Sequence, residues 1–576
     1  MVERPWLNSY PEGVKWDMPL DPAPLYSFLE RSAQAFPNRT CLDFLGRKTS
    51  YARVLDQVRA AAAGFQRLGV TRGVKVGLFL PNCPQFVISF YGVLMAGGTV
   101  VNFSPLYSER ELLAQVEDSE TDIMVSLNLK ALYPKMERVF RESRLRHMVV
   151  GSLTEVLPFP KNILFTLFKH GDVAPIAWDQ CHTRFGDLLK CGDTLLPVDI
   201  DPSVDMAVLQ YTGGTTGTPK GAMLTHANLY INTAQVMAWD PTLEDGRERI
   251  FAALPFFHVF AMTGVMNLGI ALGAELLMLP RYETTTAVAL IERRQATIMA
   301  GVPTMYRALM DHPHAGKGAL SSMKVCISGG APLPAELARE FERVSGCKVV
   351  EGYGLTEASP VVTVNPLQKG GPSHKGVRAG SIGLPLPGTD VLIRKQGDQT
   401  TAMPLGEVGE LAVRGPQVMK GYWKRGSETD NVLKGDMLLT GDLGYMDQDG
   451  YTFIIDRQKD LILVSGFNVF PRIIEEALYE HPAVLEATVI GIPHEYKGEA
   501  PKAFVTLRSG HEALGADKLI EFLDARIARH EIPVEIEFRD SLPKTLVGKL
   551  SKKELVAEEV ARRDGGPASS SDSQDS

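Results

Sequence analysis

The sequence predicts an α/β protein: a large N-terminal domain of layered α/β subdomains with a small β subdomain, followed by a small C-terminal α/β domain. Its 576 residues exceed the roughly 250–300 at which a single hydrophobic core stops growing. Through most of the first 350 residues, short apolar runs alternate with helical patterns, which is typical of parallel βαβ units. From Ser381 the apolar runs are short and interrupted by Gly and Pro, which indicates the β subdomain.

These changes of pattern divide the chain into three parts. We predict an N-terminal domain over residues 1–458 and a C-terminal domain over residues 459–563, where strands again alternate with helices. Residues 564–576 are rich in Ser, Asp and Gly. Because such a composition buries too little apolar surface to fold, we expect this tail to be disordered.

Composition and charge exclude several classes of protein. Hydrophobic residues make up 44% and charged residues 22% of the chain, as in ordinary globular proteins. A net charge of −8 argues against a general nucleic-acid binder, whose surface is basic. The six cysteines form no CxxC pair and the histidines no metal-binding cluster, so we expect reduced thiols in a cytoplasmic protein. The N-terminus contains no apolar signal-peptide segment.

Two apolar stretches raise the question of a membrane. Phe251–Ala274 has no charged residue and is long enough to span a bilayer, but Pro255 and His258 interrupt it. A buried strand, loop and helix is therefore the better interpretation. Leu157–His170 contains a short amphipathic helix that could lie in a membrane interface or pack on the core, and both interpretations stay open. Its apolar face consists of Ile163, Leu164, Leu167 and Phe168, and its flanking cations are Lys161, Lys169 and His170.

The most informative stretch is the glycine-rich loop Tyr211–Ala222, which follows the apolar strand Met206–Leu209. Glycines let the backbone approach a ligand closely, while threonine hydroxyls, backbone N–H groups and Lys220 suit a polyphosphate. The loop is not a Walker A motif, in which Lys directly follows the last Gly and precedes Ser or Thr. Here two residues separate Gly217 from Lys220, and Gly221 follows.

Further motifs follow along the chain. The glycine loops Ser328–Leu333 and Glu351–Pro360 come directly after predicted strands, where α/β sheets place ligands. Thr440–Gly444 and Asp456–Asp460 are predicted to be charged turns near the end of the β subdomain, and Lys544–Lys549 lies in the C-terminal domain.

These motifs resemble those of the adenylate-forming superfamily of acyl-CoA synthetases, luciferases and peptide-synthetase adenylation domains. They occur here in the order Tyr211–Gly221, Gly352–Glu357, Thr440–Asp442, Asp456–Asp460 and Leu542–Lys549. The segments that are similar to bacterial long-chain fatty acid–CoA ligases in particular are Trp6–Pro11, Val101–Tyr107 and Val464–Pro471. The resemblance extends from Trp6 to about Val560.

The resemblance implies a reaction in two halves, with ATP and CoA as co-substrates and Mg²⁺ as cofactor. The carboxylate of a medium- or long-chain fatty acid attacks the α-phosphorus of ATP, which gives acyl-AMP and pyrophosphate. The thiol of CoA then attacks the acyl carbonyl and releases AMP. Both steps require that negative charge is held and that the reacting atoms are aligned.

The resemblance also assigns a nucleotide site. Glu357, a hard oxygen ligand, would hold Mg²⁺, and Thr356 would act in catalysis by donating to the α-phosphate. Tyr353 would stack on adenine, and Asp442 would accept the ribose hydroxyls beside Arg457. The other residues implied in ATP and AMP binding are Thr212, Gly213, Gly214, Thr215, Thr216, Gly217, Thr218, Lys220, Gly329, Gly330, Ala331, Glu351, Gly352 and Gly354.

The C-terminal domain would supply the remaining parts. Lys549 would bridge the substrate carboxylate and the α-phosphate during adenylation. Lys459 matches the hinge about which this domain, mobile in the family, turns between the half-reactions, and Gly466 would let the pantetheine arm of CoA pass. His258 matches a catalytic histidine at the mouth of the acyl pocket, but a satisfied core histidine fits equally well. Long-chain relatives carry a gating Trp where this chain has Met262, so the gate is in doubt.

The leading hypothesis is thus a fatty acid–CoA ligase, and two alternatives accompany it. A fatty acyl-AMP ligase that loads a carrier protein would carry an insertion before the terminal domain, but the run Gly450–Gly466 is continuous. A degenerate, membrane-attached lipid-binding protein would have no reason to retain the charged site residues. Peripheral contact with the cytoplasmic face of the inner membrane, a homodimer and the preferred chain length stay open.

Overall fold

The computed structural model describes residues 3–190, 194–212, 219–367, 376–545 and 549–563. Within these residues the strands form sheets of nine, seven, six and five strands. One continuous hydrophobic core runs from Trp6 to Tyr451 and joins the three larger sheets, whereas the five-stranded sheet packs around a core of its own. The predicted fold class is confirmed.

The seven-stranded sheet carries the glycine-rich loop at its edge. Neighbouring strands are parallel except for the last pair, which is antiparallel. The strands Lys75–Leu78 and Thr99–Asn102 near its centre are buried along their whole length, as expected for parallel strands that are covered on both faces. In spatial order the strands are His182–Arg184, His147–Gly151, Thr121–Leu127, Lys75–Leu78, Thr99–Asn102, Met206–Tyr211 and Gly221–Thr225.

The helices of this part are capped by local sequence signals. Ser108 accepts a hydrogen bond from the N–H of Glu111, and the Glu111 carboxylate accepts one from the N–H of Ser108. This capping box satisfies donors that the first helical turn leaves free. The helices are Ser27–Ala35, Tyr51–Arg67, Pro84–Met95, Glu109–Ser119, Tyr133–Glu142, Lys161–Phe168, Phe185–Leu188 and His226–Trp239.

The nine-stranded sheet has a parallel centre and antiparallel edges. In spatial order its strands are Leu384–Pro385, Val361–Val364, Val349–Gly354, Val325–Gly329, Ile298–Gly301, Arg249–Ala252, Glu275–Met278, Thr40–Phe44 and Arg47–Ser50. The helices between them include Thr284–Arg294, Pro303–Asp311 and Ala335–Ser345. Because the central strands are parallel, their carboxyl ends meet at one edge of the sheet, and two of the predicted glycine loops lie there.

The uncharged stretch Phe251–Ala274 is a buried strand, loop and helix, as predicted. After the strand Arg249–Ala252 and a turn, the chain forms a continuous helical segment made of Val259–Ala261, the π-helical turn Met262–Asn267 and Leu268–Ala271. Among the described residues, no helix combines the length and the apolar character needed to cross a membrane.

The six-stranded sheet forms the predicted β subdomain. Its strands are Asp398–Ala402, Asp390–Lys395, Gly409–Arg414, Met437–Met446, Leu433–Lys434 and Thr452–Arg457, and the helix Gly426–Val432 adjoins them. One prediction was wrong here, because Thr440–Gly444 lies inside a strand and not in a turn. Gly441 has a φ of +74°, and the pairing with the strand Gly409–Arg414 shifts register between Leu443 and Leu439, so the glycine serves a β-bulge.

The five-stranded sheet and its helices form the C-terminal part. In spatial order the strands are Phe467–Val469, Ile462–Val464, Gly498–Leu507 and Val484–His494, with Glu535–Phe538 parallel to Gly498–Leu507. The helices are Pro471–Tyr479, Ala516–Asp524 and Lys552–Arg563.

Candidate active site

Two strands of the nine-stranded sheet bring two glycine loops side by side. Val325–Gly329 and Val349–Gly354 are parallel neighbours, and Gly329 pairs with Gly352. The segment Gly330–Ala331, which follows the first strand, therefore lies beside the end of the second. The two segments that are predicted to contact adenine, Gly329–Ala331 and Glu351–Gly354, thus lie side by side in the sheet.

The glycine-rich loop connects the two antiparallel strands at the edge of the seven-stranded sheet. The N–H of Thr212 donates to the Lys220 carbonyl at 2.9 Å, which closes the base of the loop. The predicted phosphate contacts Gly213, Gly214, Thr215, Thr216, Gly217 and Thr218 lie outside the described residues.

Asp442 is the centre of a polar cluster and is only 6% exposed. The Tyr353 hydroxyl donates to its Oδ2 at 2.5 Å, and Arg457 Nε lies 3.3 Å from its Oδ1. Burial, and then the Asp442 charge, raise the pKa of Tyr353 well above its usual value, so Tyr353 remains a donor. The structure therefore groups the three residues that the sequence assigned to adenine and ribose.

Glu357 and Lys220 are linked through Tyr422, a residue that the sequence reasoning missed. The Tyr422 hydroxyl donates to Glu357 Oε1 at 2.6 Å, and Lys220 Nζ lies 5.2 Å from the centroid of the Tyr422 ring. The Tyr422 N–H donates to Thr429 Oγ1 at 2.9 Å, and its backbone bridges to Ala222 beside the glycine-rich loop. One aromatic side chain thus sets the spacing between an anion and a cation.

The environment of Glu357 fits a bound Mg²⁺. Glu357 lies in the short turn Thr356–Ala358, so the predicted donor Thr356 is its direct neighbour. The Tyr422 hydroxyl occupies Oε1, and among the described residues no donor occupies Oε2. A single free carboxylate oxygen near Lys220, the predicted phosphate contact, is the donor set that Mg²⁺ takes when phosphate oxygens and water complete its shell.

Lys549 reaches from the C-terminal domain onto the glycine loop of the larger one. A Cβ built on Gly330 would lie 2.6 Å from Lys549 Cε and 2.9 Å from Nζ, so the end of the lysine side chain lies directly against this glycine. Burial, and then the charge of Arg457, lower the pKa of Lys549 to about 8, and Asp442 opposes the change. Lys549 therefore shares an electrostatic environment with the Asp442 cluster.

The same lysine faces a small, largely apolar cavity that contains His258. The cavity is lined by Leu254, Pro255, His258, Phe260, Ala261, Val302 and Lys549. Burial, and then the Lys549 charge, lower the pKa of His258 to about 3, so the imidazole is neutral at physiological pH. Its Nδ1 accepts from the N–H of Phe260 at 3.3 Å, which leaves the proton on Nε2. His258 thus offers one donor to the cavity.

Met262 is packed inside the molecule. Its side chain is fully buried, and Asn102 Nδ2 donates to its Sδ at 3.5 Å. It starts the π-helical turn, a feature that often occurs next to functional sites. Met262 is not among the residues that line the cavity.

A second residue missed by the sequence reasoning, Arg472, ties the C-terminal domain to the nucleotide edge. Its Nη1 donates to the Ile454 carbonyl at 3.0 Å, and its N–H donates to Asp456 Oδ2 at 2.9 Å. Burial raises the pKa of Glu351 to about 7, and the charge of Arg472 opposes this rise. The buried carboxyl behind the adenine edge is thus balanced by a cation from the other domain.

Lys459, the predicted hinge, and Gly466, the predicted CoA contact, lie beyond opposite ends of the strand Ile462–Val464. Lys459 is in the turn Gln458–Asp460, and burial lowers its pKa. Gly466 has a φ of +87° at the tip of the hairpin formed by Ile462–Val464 and Phe467–Val469, and a Cβ there would meet no described atom within 4 Å. The structure therefore brings Lys549 to the cavity and leaves the Gly466 tip open.

Comparison with known proteins identifies the family of this chain. A family model described as AMP-binding enzyme matches residues 29–423, and one described as AMP-binding enzyme C-terminal domain matches residues 473–549. The chain belongs to the AMP-binding enzyme family. The long-chain-fatty-acid–CoA ligase of Bacillus subtilis (strain 168) is 44% identical over 97% of this chain and 98% of its own length. That of Yersinia pestis is 38% identical over 97% and 99%.

Relatives of this AMP-binding enzyme also act on other acids. The feruloyl-CoA synthase of an Amycolatopsis species is 33% identical over 92% of this chain and 98% of its own. Among solved structures, ATP-bound MatB from Rhodopseudomonas palustris has a TM-score of 0.81 at 27% identity, covering 94% of this chain and 99% of MatB. The anthranilate CoA ligase AuaEII with anthranoyl-AMP has a TM-score of 0.82 at 25% identity, covering 95% and 99%.

The missed residues carried only weak signals in the sequence. Tyr422 begins the run Tyr422–Arg425, in which two aromatic residues precede two cations, a pattern that could have indicated an anion-binding surface. Arg472 directly follows Pro471 at the start of a helix, where a cation is unusual because the helix dipole opposes it. Neither pattern can be interpreted until the residues that Tyr422 and Arg472 contact are known.

Proposed function

We propose that this AMP-binding enzyme is an ATP-dependent ligase that joins a medium- or long-chain fatty acid to CoA through an acyl-AMP intermediate. The observation that carries the proposal is the position of Lys549. It stands between the small His258 cavity, which is lined mostly by apolar side chains, and the Asp442 cluster, which suits a ribose. A cation there lies where a carboxylate and an α-phosphate would meet.

In the first half-reaction the fatty acid carboxylate attacks the α-phosphorus, and pyrophosphate leaves. Lys549 offsets the charge of the two approaching anions, and Thr356 and the neutral His258 donate hydrogen bonds to them. Lys220 and the loop residues Thr212–Thr218 hold the leaving phosphates. Mg²⁺, held by Glu357, would neutralise charge on the phosphate oxygens.

The nucleoside end is held by residues that are already oriented. Asp442 accepts the ribose hydroxyls, and Arg457 keeps the carboxylate in place. Tyr353 presents its ring to adenine, while its hydroxyl stays on Asp442. Gly329, Gly330 and Ala331 form the opposite wall, and the Glu351–Gly354 backbone contacts the adenine edge.

In the second half-reaction the CoA thiol attacks the acyl carbonyl and AMP leaves. We propose that residues 459–563 turn as a domain about Lys459, against residues 1–458, and bring the Gly466 hairpin to the site. The separate core of the C-terminal part supports this division. A glycine at the hairpin tip would let the pantetheine arm pass close to the backbone.

The substrate class follows from the relatives. Two proteins that cover almost the whole chain are named long-chain-fatty-acid–CoA ligases. The apolar lining of the cavity agrees with an alkyl chain. The uninterrupted run Gly450–Gly466 disfavours a ligase that loads carrier proteins, and the grouped site residues disfavour a merely lipid-binding protein.

Pyrophosphate release, measured with and without CoA on a panel of acids, tests the function. The panel contains straight-chain acids of increasing length together with ferulate, because one relative is a feruloyl-CoA synthase. We expect one turnover without CoA, sustained release with CoA, and a preference for the longer alkyl acids. A preference for ferulate would contradict the substrate class. Turnover that depends on a carrier protein and ignores CoA would contradict the ligase itself.

Long-chain fatty acids partition into bilayers, which bears on where the enzyme works. We propose that it is a cytoplasmic protein in reversible, peripheral contact with a membrane. Such contact requires apolar side chains on the surface of the enzyme.

A further inference from the structure

The helix Lys161–Phe168 presents an apolar surface that the catalytic site does not use. The side chains Phe159, Ile163, Leu164, Leu167 and Phe168, here called the apolar helix surface, are 79%, 48%, 46%, 62% and 77% exposed. Large apolar side chains concentrated in ten residues are unlike the single exposed ones that are scattered over any protein. Such a patch marks an interaction site.

The helix is held in place from its other side. Phe165 packs against the main core, and Lys161 Nζ donates to the Leu45 carbonyl at 2.9 Å. Thr166 Oγ1 donates to the Asn162 carbonyl at 2.9 Å within the helix. The apolar helix surface therefore faces outward from an anchored helix. The sequence left open whether this helix packs on the core or lies in a membrane interface. Within the helix Lys161–Phe168, Phe165 packs on the core, whereas the apolar helix surface does not.

Cations border the apolar helix surface. The turn between the strands Thr40–Phe44 and Arg47–Ser50 contacts the helix through Leu45, and Arg47 beside that turn is exposed and donates to the carbonyls of Glu155 and Leu157, which precede the helix. Lys169 follows the helix and lies 3.7 Å from Asp172. The chain as a whole carries a net charge of −8, so this positive border is a local feature.

We propose that the apolar helix surface docks the enzyme onto an anionic lipid bilayer. A short convex helix offers no groove to a partner peptide, but its side chains can enter the boundary between headgroups and acyl chains. Arg47 and Lys169 would reach the phosphate level, where anionic lipids attract cations. The proposal rests on the proposed function for its purpose, since the fatty acid substrate resides in the same bilayer.

Vesicle flotation of the full chain tests the docking surface. The vesicles are phosphatidylcholine alone or phosphatidylcholine with about one third phosphatidylglycerol. The double variant Ile163→Ser/Phe168→Ser should bind at least about tenfold more weakly than the wild type, because both side chains lose their apolar contact with lipid. Lys169→Glu should weaken binding only to the vesicles that contain phosphatidylglycerol.

The matched control is Leu106→Ser/Leu196→Ser, which removes two apolar side chains that are 63% and 65% exposed elsewhere on the chain. It should float like the wild type, and both double variants should form octanoyl-CoA at the wild-type rate without vesicles. Equal flotation of all three proteins would overturn the proposal. It would also be overturned if the helix variant kept its flotation but turned a dimer into a monomer in gel filtration.

The two proposals can fail separately. A chain that floats through this helix but releases no pyrophosphate would refute the ligase function and leave the docking surface standing. A chain that forms acyl-CoA normally but does not float would refute only the docking surface.

Discussion

Tyr422 ties the two charged groups of the proposed phosphate site together. Its hydroxyl holds Glu357 Oε1 at 2.6 Å and its ring lies under Lys220. Burial, and then the Glu357 charge, raise the pKa of Tyr422, so the phenol stays a donor throughout the physiological range. The carboxylate is therefore oriented before a metal arrives.

Tyr422→Phe should raise the Mg²⁺ concentration needed for half-maximal pyrophosphate release by about tenfold, since a hydrogen bond to a charged group is typically worth about 1.5–3 kcal/mol. Adenylation is measured at saturating ATP and fatty acid over a Mg²⁺ series. Glu357→Gln removes the charge that would bind the metal, so it should have the larger effect, a fall of about 10²-fold or more in adenylation.

Two controls accompany this prediction. Tyr445→Phe removes a phenol that stacks on Phe453, and Glu428→Gln removes a nearby carboxylate that does not bond to Tyr422. Both variants should keep the wild-type Mg²⁺ dependence. If Tyr422→Phe also keeps it while Glu357→Gln does not, Tyr422 is only a structural support.

Lys549 makes adenylation dependent on pH. Its pKa is lowered to about 8, chiefly by burial, so the cation is present below that pH and is lost as the pH rises through it. The kcat/KM for pyrophosphate release should therefore fall above about pH 8, because this ratio reports the free enzyme.

Lys549→Arg identifies the group responsible for that decline. An arginine stays charged over the whole range, so the fall above pH 8 should disappear even if the overall rate is lower. His258, with a pKa lowered to about 3, contributes no change near neutrality. A decline that persists unchanged in Lys549→Arg would have to come from another group, for which the Glu351 carboxyl, with its pKa raised to about 7, is the candidate.

Among the elements, the loops could be predicted from the sequence better than the contacts between them. Glycine and threonine composition indicated the loop Tyr211–Ala222, since a dense cluster of small and hydroxylated residues has few other uses. The bond from Tyr422 to Glu357 joins residues 65 positions apart. No local pattern specifies such a pair, because it depends on how two sheets are placed.

The helix Lys161–Phe168 illustrates the same limit. Its periodicity predicted one apolar face but not which way the face would point. The structure decides this through Phe165 and Lys161, which anchor the other side. The Thr440–Gly444 error has a similar cause, since a glycine with positive φ serves a turn and a β-bulge equally well.

The contact between Gly330 and Lys549 gives a prediction for two loops from different domains. Gly330→Ala would place a Cβ 2.6 Å from Lys549 Cε at a φ of +79°, so the end of the Lys549 side chain should be displaced. We expect adenylation to fall by about tenfold or more, because misplacing a catalytic group by an ångström is costly. The measurement is acid-dependent pyrophosphate release.

Gly346→Ala is the matched control. Gly346 has a φ of +76°, and a Cβ there would meet nothing within 4 Å. Both variants should lose about 1–2 kcal/mol of unfolding free energy from the left-handed backbone, but Gly346→Ala should keep its activity. Equal losses of activity would show that backbone strain, and not contact with Lys549, explains the effect.

At the scale of the whole molecule, the positions of two loops agree with the proposed adenylation step. Lys549 is at the cavity, and Arg472 is bonded to Ile454 and Asp456 on the N-terminal side of the proposed hinge. The Gly466 hairpin tip stands in open space. A rotation of the C-terminal domain about Lys459 would move Lys549 away from the cavity and bring the Gly466 hairpin to it. The Lys549 loop and the Gly466 hairpin should therefore each serve only one half-reaction.

Lys549→Ala should therefore lose adenylation by roughly 10²–10³-fold, yet still convert supplied acyl-AMP and CoA to the thioester. Gly466→Leu should do the reverse, because a side chain would narrow the CoA path while the adenylating arrangement stays intact. Gly397→Leu is the control for turn strain, since its φ is +77° and its surroundings are equally open. Single-turnover assays of each half-reaction decide the matter. If Lys549→Ala and Gly466→Leu lose both steps alike, or if Gly397→Leu matches Gly466→Leu, the two loops do not take turns at one site.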